Sequence, residues 1–173
     1  MLNVLKFVER SVLFDDLNAN LRSKLTTAPG ILYFNHEDGL PIANFRENKR
    51  MTDFWKVAAT TTSSLGDTFV SAMEAHEYPF FAVQFHPEKN LYEWIIAASR
   101  TNEGAEIAQV LSNKFVEYAR HNTNSFESLE EFTKLNIYNF NTTTINLSYL
   151  PIYPFKEPFP DDCPYSTPAL QTE

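Results

Sequence analysis

Two side chains separated by a single proline carry the most specific chemistry in the sequence: His86 and Glu88, in the run Val83-Gln-Phe-His-Pro-Glu88. Pro87 fixes its own φ and drives the preceding residue toward an extended conformation. Residues two apart in extended chain point to the same side, so the Glu88 carboxylate can lie beside the His86 imidazole. A carboxylate that holds one ring N–H leaves the other nitrogen as a general base, the orienting half of a nucleophile–His–acid triad. A bare His-x-Glu is more often a solvated turn. Here it follows Pro79-Phe-Phe-Ala-Val-Gln-Phe85, which reads as a strand buried on both faces. Reactive groups collect just beyond the carboxyl ends of such strands in open α/β sheets.

A base of this kind serves a nucleophile, and the only cysteine is Cys163. It stands in Pro160-Asp-Asp-Cys-Pro164, where neighbouring carboxylates raise a thiol's pKa rather than lower it, and no helix start follows. Cys163 is therefore not assigned as the nucleophile. One cysteine also excludes an internal disulfide and any multi-cysteine metal site. No metal and no cofactor are expected. His36, in the turn Asn35-His-Glu-Asp-Gly39, is a further candidate. His76 reads as structural, and His121 as a helix-end residue favoured by the dipole.

The elements that must position these groups belong to one domain-sized chain of 173 residues, 43% hydrophobic and 14% aromatic with only 4 Gly, a composition that supports a packed core. A net charge of -8 argues against binding a phosphate backbone. No run reaches the roughly 18–20 apolar residues that span a bilayer. Leu13, Leu17, Leu21 and Leu25 recur at helical spacing over 12–25, with Asp15 and Asp16 in the first turns. Residues 31–34 read as a short buried strand. Residues 54–62 and 67–73 read as a hairpin joined by Ser63-Ser-Leu-Gly66. The clearest helix spans 103–121, with Ile107, Val110, Leu111, Phe115 and Tyr118 on one face. A shorter helix is expected at 126–135, capped by Ser125. From Pro151 the chain is proline-rich, so the domain is placed at 1–150 and a weakly structured tail at 151–173. The opening ten residues do not read as a signal peptide. Asn141 and Asn146 begin sequons that matter only in a secretory compartment.

The run Val83–Glu88 resembles the strand and turn of class I glutamine amidotransferase domains, in which the His and Glu serve a cysteine nucleophile. Glu88-Lys-Asn-Leu-Tyr-Glu-Trp94 narrows this: it is similar to the segment after that turn in gamma-glutamyl hydrolases, the folate polyglutamate hydrolases. Ser71–Pro79 resembles that family's approach to the strand, and Phe115–Asn122 its last long helix. The resemblance covers about residues 11–150. It implies an α/β fold, with a mixed, mainly parallel sheet flanked by helices, and cleavage of gamma-glutamyl bonds in folyl polyglutamates. His86 and Glu88 would be catalytic and His36 would lie in the substrate cleft. It further implies a lysosomal, vacuolar or extracellular compartment. The family's nucleophile stands at a strand-to-helix turn upstream of the part represented here, and this chain has no counterpart. The expectation is thus the C-terminal part of such a domain, lacking the opening strands and the nucleophile, and inactive by itself. The strand at 79–85 would have an open edge, covered by a second copy or another partner. A non-catalytic remnant, an interaction protein and a glutaminase subunit are the alternatives.

Overall fold

A computed structural model of the chain describes residues 4–93, 98–144 and 151–153. It divides into two compact units, with the boundary between Thr123 and Asn124. In the first unit a four-stranded sheet, ordered β1-β2-β3-β4, is formed by β1 (Lys6–Phe7), β2 (Trp55–Thr62), β3 (Thr68–Ala75) and β4 (Phe81–Val83). Helices α1 (Ala19–Thr27), α2 (Ile42–Glu47), α3 (Lys49–Phe54), α4 (Lys89–Tyr92) and α5 (Asn102–Arg120) surround it.

The hairpin of β2 and β3 is the centre of the fold. Its turn closes because Gly66 takes φ +93, a region other residues rarely adopt, while Ser63 N–H donates to Asp67 O at 2.8 Å. Adjacent residues of a strand face opposite sides, so Ala72 joins one apolar cluster and Met73 the other. The larger cluster takes Leu21 and Leu25 from α1, Ile107 and Leu111 from α5, and Leu13, Phe14 and Leu17 from the chain before α1. The smaller takes Phe45 from α2 and Met51 from α3 against Val57 and Val70. Both sheet faces are covered, which makes the unit a layered α/β fold.

Helix ends follow their capping residues. Asn18 Oδ1 accepts from Leu21 N–H at 3.0 Å and starts α1. The four leucines at helical spacing are all buried, yet the helix is split: a 3-10 turn covers Val12–Phe14, and Asp15 lies between the two pieces. Thr101 caps α5 at Gly104 N–H, with Glu103 in the first turn and Arg120 in the last, as the helix dipole favours. On α5 Phe115 points outward and is 70% exposed. The buried position beside it belongs to Lys114, which meets Asp16 at 2.5 Å and Glu117 at 3.1 Å.

Three expectations are corrected here. Residues 31–34 join no strand: the chain bends at Ile31 and Leu32, and both are buried as core plugs instead. The stretch 79–85 is not a central strand buried on both faces. Only Phe81–Val83 is strand, it pairs with β3 alone among the described residues, and Val83 is 36% exposed. Its apolar character serves the side of β3 and the plug at Phe85 rather than a position between two neighbours. All strand pairings among the described residues are antiparallel, whereas the resemblance implied a mainly parallel sheet.

The second unit contains α6 (Leu129–Leu135), a 3-10 turn at Ile137–Asn139, and the antiparallel pair β5 (Thr143–Thr144) and β6 (Pro151–Ile152). Ser128, not Ser125, caps α6, accepting from Glu131 N–H at 3.1 Å. The spacing explains the choice, because a Glu three residues after the cap reaches back toward the helix start, here to Glu127 N–H at 3.2 Å. Asn141 is exposed. Cys163, Asn146, Trp94 and most of the proline-rich tail lie outside the described residues.

Candidate active site

β4 delivers its last residues directly into the turn that carries the chemistry. Gln84 N–H continues the pairing to Ser71 O at 2.9 Å, and Phe85, 3% exposed, anchors in the larger core. His86 N–H then leaves the sheet and donates to Tyr33 O at 2.8 Å. Lys89 N–H closes the turn on His86 O at 3.4 Å and begins α4. Glu88 occupies the N-cap position of α4 without a side-chain capping bond, so its carboxylate is available to the imidazole. His86 Nδ1 and Glu88 Oε1 stand 2.9 Å apart. That lies within the reach of an orienting pair, about 2.6–3.2 Å between heavy atoms.

The contact selects a nitrogen. With Nδ1 held by the carboxylate, Nε2 is the ring atom left to exchange a proton, and it has no hydrogen-bond partner among the described residues. The His86 side chain is 37% exposed and that of Glu88 59%, so the pair faces solvent at the open end of the turn. Such an arrangement can accept a proton from a nucleophile and return it to a leaving group, and it supplies no nucleophile itself. Sequence reasoning missed the Tyr33 carbonyl that holds the His86 backbone. A main-chain acceptor in a non-strand segment leaves no side-chain signature.

His36 occupies a different setting. Its Nδ1 lies 2.7 Å from Asp38 O, and its ring packs edge-on against Phe34 at 5.7 Å and Phe69 at 5.6 Å. It lines a cavity of about 470 Å³ between the 34–41 segment and the β2–β3 turn; His86 is not among the lining residues. Phe34 links the two histidines indirectly, since its ring also packs on Phe85 at 5.9 Å. The carboxylates of Glu37, Asp38 and Asp67 line that cavity without a Lys or Arg. A larger cavity, about 640 Å³, lies at the opposite end of β4 around Glu74–Pro79 and includes no residue of the His86 turn. His76 Nε2–H donates to Thr52 O, 3.1 Å away, and His121 stands at the C-cap of α5. Among the described residues, no group of three or more His, Cys, Asp or Glu side chains is placed to hold a metal ion.

Residues 30–94, which include His36, His86 and Glu88, match the family described as glutamine amidotransferase class-I. That match and the layered sheet define the class: an α/β domain of the class I glutamine amidotransferase kind. The chain is 34% identical over 144 residues to gamma-glutamyl hydrolase of Bos taurus, covering 82% of this chain and 45% of that protein. Against gamma-glutamyl hydrolase 1 of Arabidopsis thaliana the identity is 31% over 162 residues, covering 89% and 46%. Against gamma-glutamyl hydrolase of Homo sapiens it is 34% over 132 residues, covering 75% and 41%. The chain belongs to the gamma-glutamyl hydrolase family, and it spans less than half the length of these relatives.

Proposed function

We propose that this chain supplies the general-base half of a Cys-His-Glu site that hydrolyses gamma-glutamyl bonds, with folyl polyglutamates as the substrate class. The observation that carries the reading is the 2.9 Å contact between His86 Nδ1 and Glu88 Oε1 in the turn after β4. In the reaction, His86 Nε2 takes the proton from a cysteine thiol, and the thiolate attacks the carbonyl carbon of the gamma-glutamyl bond. His86 returns that proton to the departing amine as the C–N bond breaks. Water, deprotonated by the same nitrogen, then cleaves the thioester and regenerates the thiol. Glu88 keeps the ring oriented through both proton transfers and stabilises the imidazolium between them.

The thiol in this reading is not Cys163, whose neighbours Asp161 and Asp162 oppose thiolate formation. Residues 1–173 are therefore inactive by themselves, and residues 151–173 act as a tail to a hydrolase-like part at 1–150. The free edge of β4, paired only with β3 among the described residues, supports association with a covering segment or partner. His36 enters as a substrate-side residue. The carboxylates around its cavity repel a polyanionic tail, so its contact is with an uncharged or donor-rich part of the substrate. The compartment is lysosomal, vacuolar or extracellular, as the family resemblance implies. No described helix is long and apolar enough to cross a membrane.

Incubating the 173-residue chain with a pteroyl diglutamate and a longer homologue, followed by chromatography, tests the reading. No release of glutamate is expected. Turnover that survives Cys163→Ala overturns the mechanism, and turnover abolished by that change makes Cys163 the nucleophile.

A further inference from the structure

The second residue of α4, Asn90, is 4% exposed and spends both of its amide hydrogens on main-chain carbonyls. Its Nδ2 donates to Ile31 O at 3.0 Å and to Ser99 O at 2.8 Å. We infer that Asn90 is the positioning residue of the His86–Glu88 pair, holding the turn between them from its downstream side. The inference rests on reading that pair as functional, but the geometry it concerns is measurable without catalysis.

The turn is suspended between two clamps on one segment. Upstream, His86 N–H donates to Tyr33 O at 2.8 Å; downstream, Asn90 donates to Ile31 O, two residues earlier in the same segment. Between them lie Pro87, which restricts the backbone at His86, and Glu88, whose side chain is 59% exposed and bonded to His86. An exposed carboxylate has no packing of its own to set its direction. Its place relative to the imidazole is inherited from the backbone, and Asn90 fixes that backbone two residues on. The second hydrogen bond, to Ser99 O, ties the same amide to the approach to α5.

The fit around the amide is close. A Cβ at Gly104 would stand 3.1 Å from Asn90 Nδ2 and 3.3 Å from Ser99 O, so any side chain there would press on the amide. An aspartate here would present oxygens to two carbonyls, and a leucine would leave both carbonyls buried without these donors.

The experiment reads the imidazole directly. In the 15N-labelled 173-residue chain, the ring 15N shifts of His86, assigned by their loss in His86→Gln, report the share of protons on Nδ1 at neutral pH, with Glu88→Ala as the unpaired reference. Asn90→Leu is expected to move that share more than halfway to the Glu88→Ala value while far-UV circular dichroism is retained. A lowered Tm with the His86 signature unchanged makes Asn90 merely structural and overturns the inference. Should Asn90→Leu fail to fold, Gly104→Ala decides, because it presses on the amide while improving the helix propensity of α5. A shift in the same direction supports the inference, and an unchanged signature overturns it. A wild-type signature equal to that of Glu88→Ala overturns it too. An Asn90-dependent signature in a chain whose turnover survives Cys163→Ala would count against the hydrolase reading alone.

Discussion

His86 Nδ1 and Glu88 Oε1 meet at 2.9 Å across Pro87, in a turn where the carboxylate side chain stays 59% exposed. A contact so open to water orients a ring without contributing much to folding. Exposed pairs of this type are worth about 0–1 kcal/mol. Glu88→Ala is therefore expected to change unfolding free energy by less than about 1 kcal/mol in urea titration while removing the preference for a proton on Nδ1. A large stability loss would show that Glu88 has a packing role which its exposure does not suggest.

The opposite balance holds at Glu74 on β3. Its carboxylate is 3% exposed, accepts from Ser11 Oγ, and pairs with Lys56 Nζ at 2.7 Å. Breaking a fully buried pair costs about 3–5 kcal/mol, and here the Lys56 side chain is 27% exposed, so the cost is smaller. Lys56→Met should lose part of that amount in denaturant titration, and Lys56→Met with Glu74→Leu should recover most of it. A double variant as unstable as the single one would place the cost elsewhere.

Acid stability should depend on Asp15 and Glu103. The hydrogen bond from Arg10 holds the Asp15 carboxyl below its ordinary value near 3.8, with burial opposing and the charges of Arg10, Arg22 and Lys114 adding. Glu103 is lowered from near 4.5, first by the hydrogen bond from its own main-chain N–H and then by Lys24. A carboxyl with a depressed folded-state pKa stabilises above its unfolded value and loses that contribution as pH falls through the folded one. The melting temperature should thus decline below about pH 4, and Asp15→Asn with Glu103→Gln should flatten the decline. Both carboxylates are partly exposed and their cationic partners Arg10 and Lys24 are more so, so added salt should weaken the dependence.

Gly66 tests the hairpin. At φ +93 an added Cβ meets no neighbour, so any penalty is backbone strain rather than a clash. Gly66→Ala should cost about 1–3 kcal/mol, read as a fall in Tm, with the spectrum of the folded state unchanged. A neutral effect would mean that the turn relaxes to another type.

Much of the site was legible because its parts are local. The proline between His86 and Glu88 restricts the chain by itself, and the distance between the two side chains follows from neighbouring residues. The β2–β3 hairpin and α5 were legible for the same reason: alternation, a Gly-containing turn, and apolar positions three and four apart. The surroundings of Cys163, with Asp161 and Asp162 beside it, are likewise written in adjacent residues. What only the tertiary structure decided depends on partners far along the chain. Burial of 79–85 turned on how many strands flank it, and among the described residues β3 alone does. Whether 31–34 forms a strand turned on where its carbonyls find donors, and they find them in the main chain of His86 and the side chain of Asn90. The choice of Nδ1 over Nε2 came from the rotation of one ring, set by a backbone clamped to residues more than fifty positions away. Hydrogen-bond donors and acceptors are named by sequence, but which of them meet is a matter of packing.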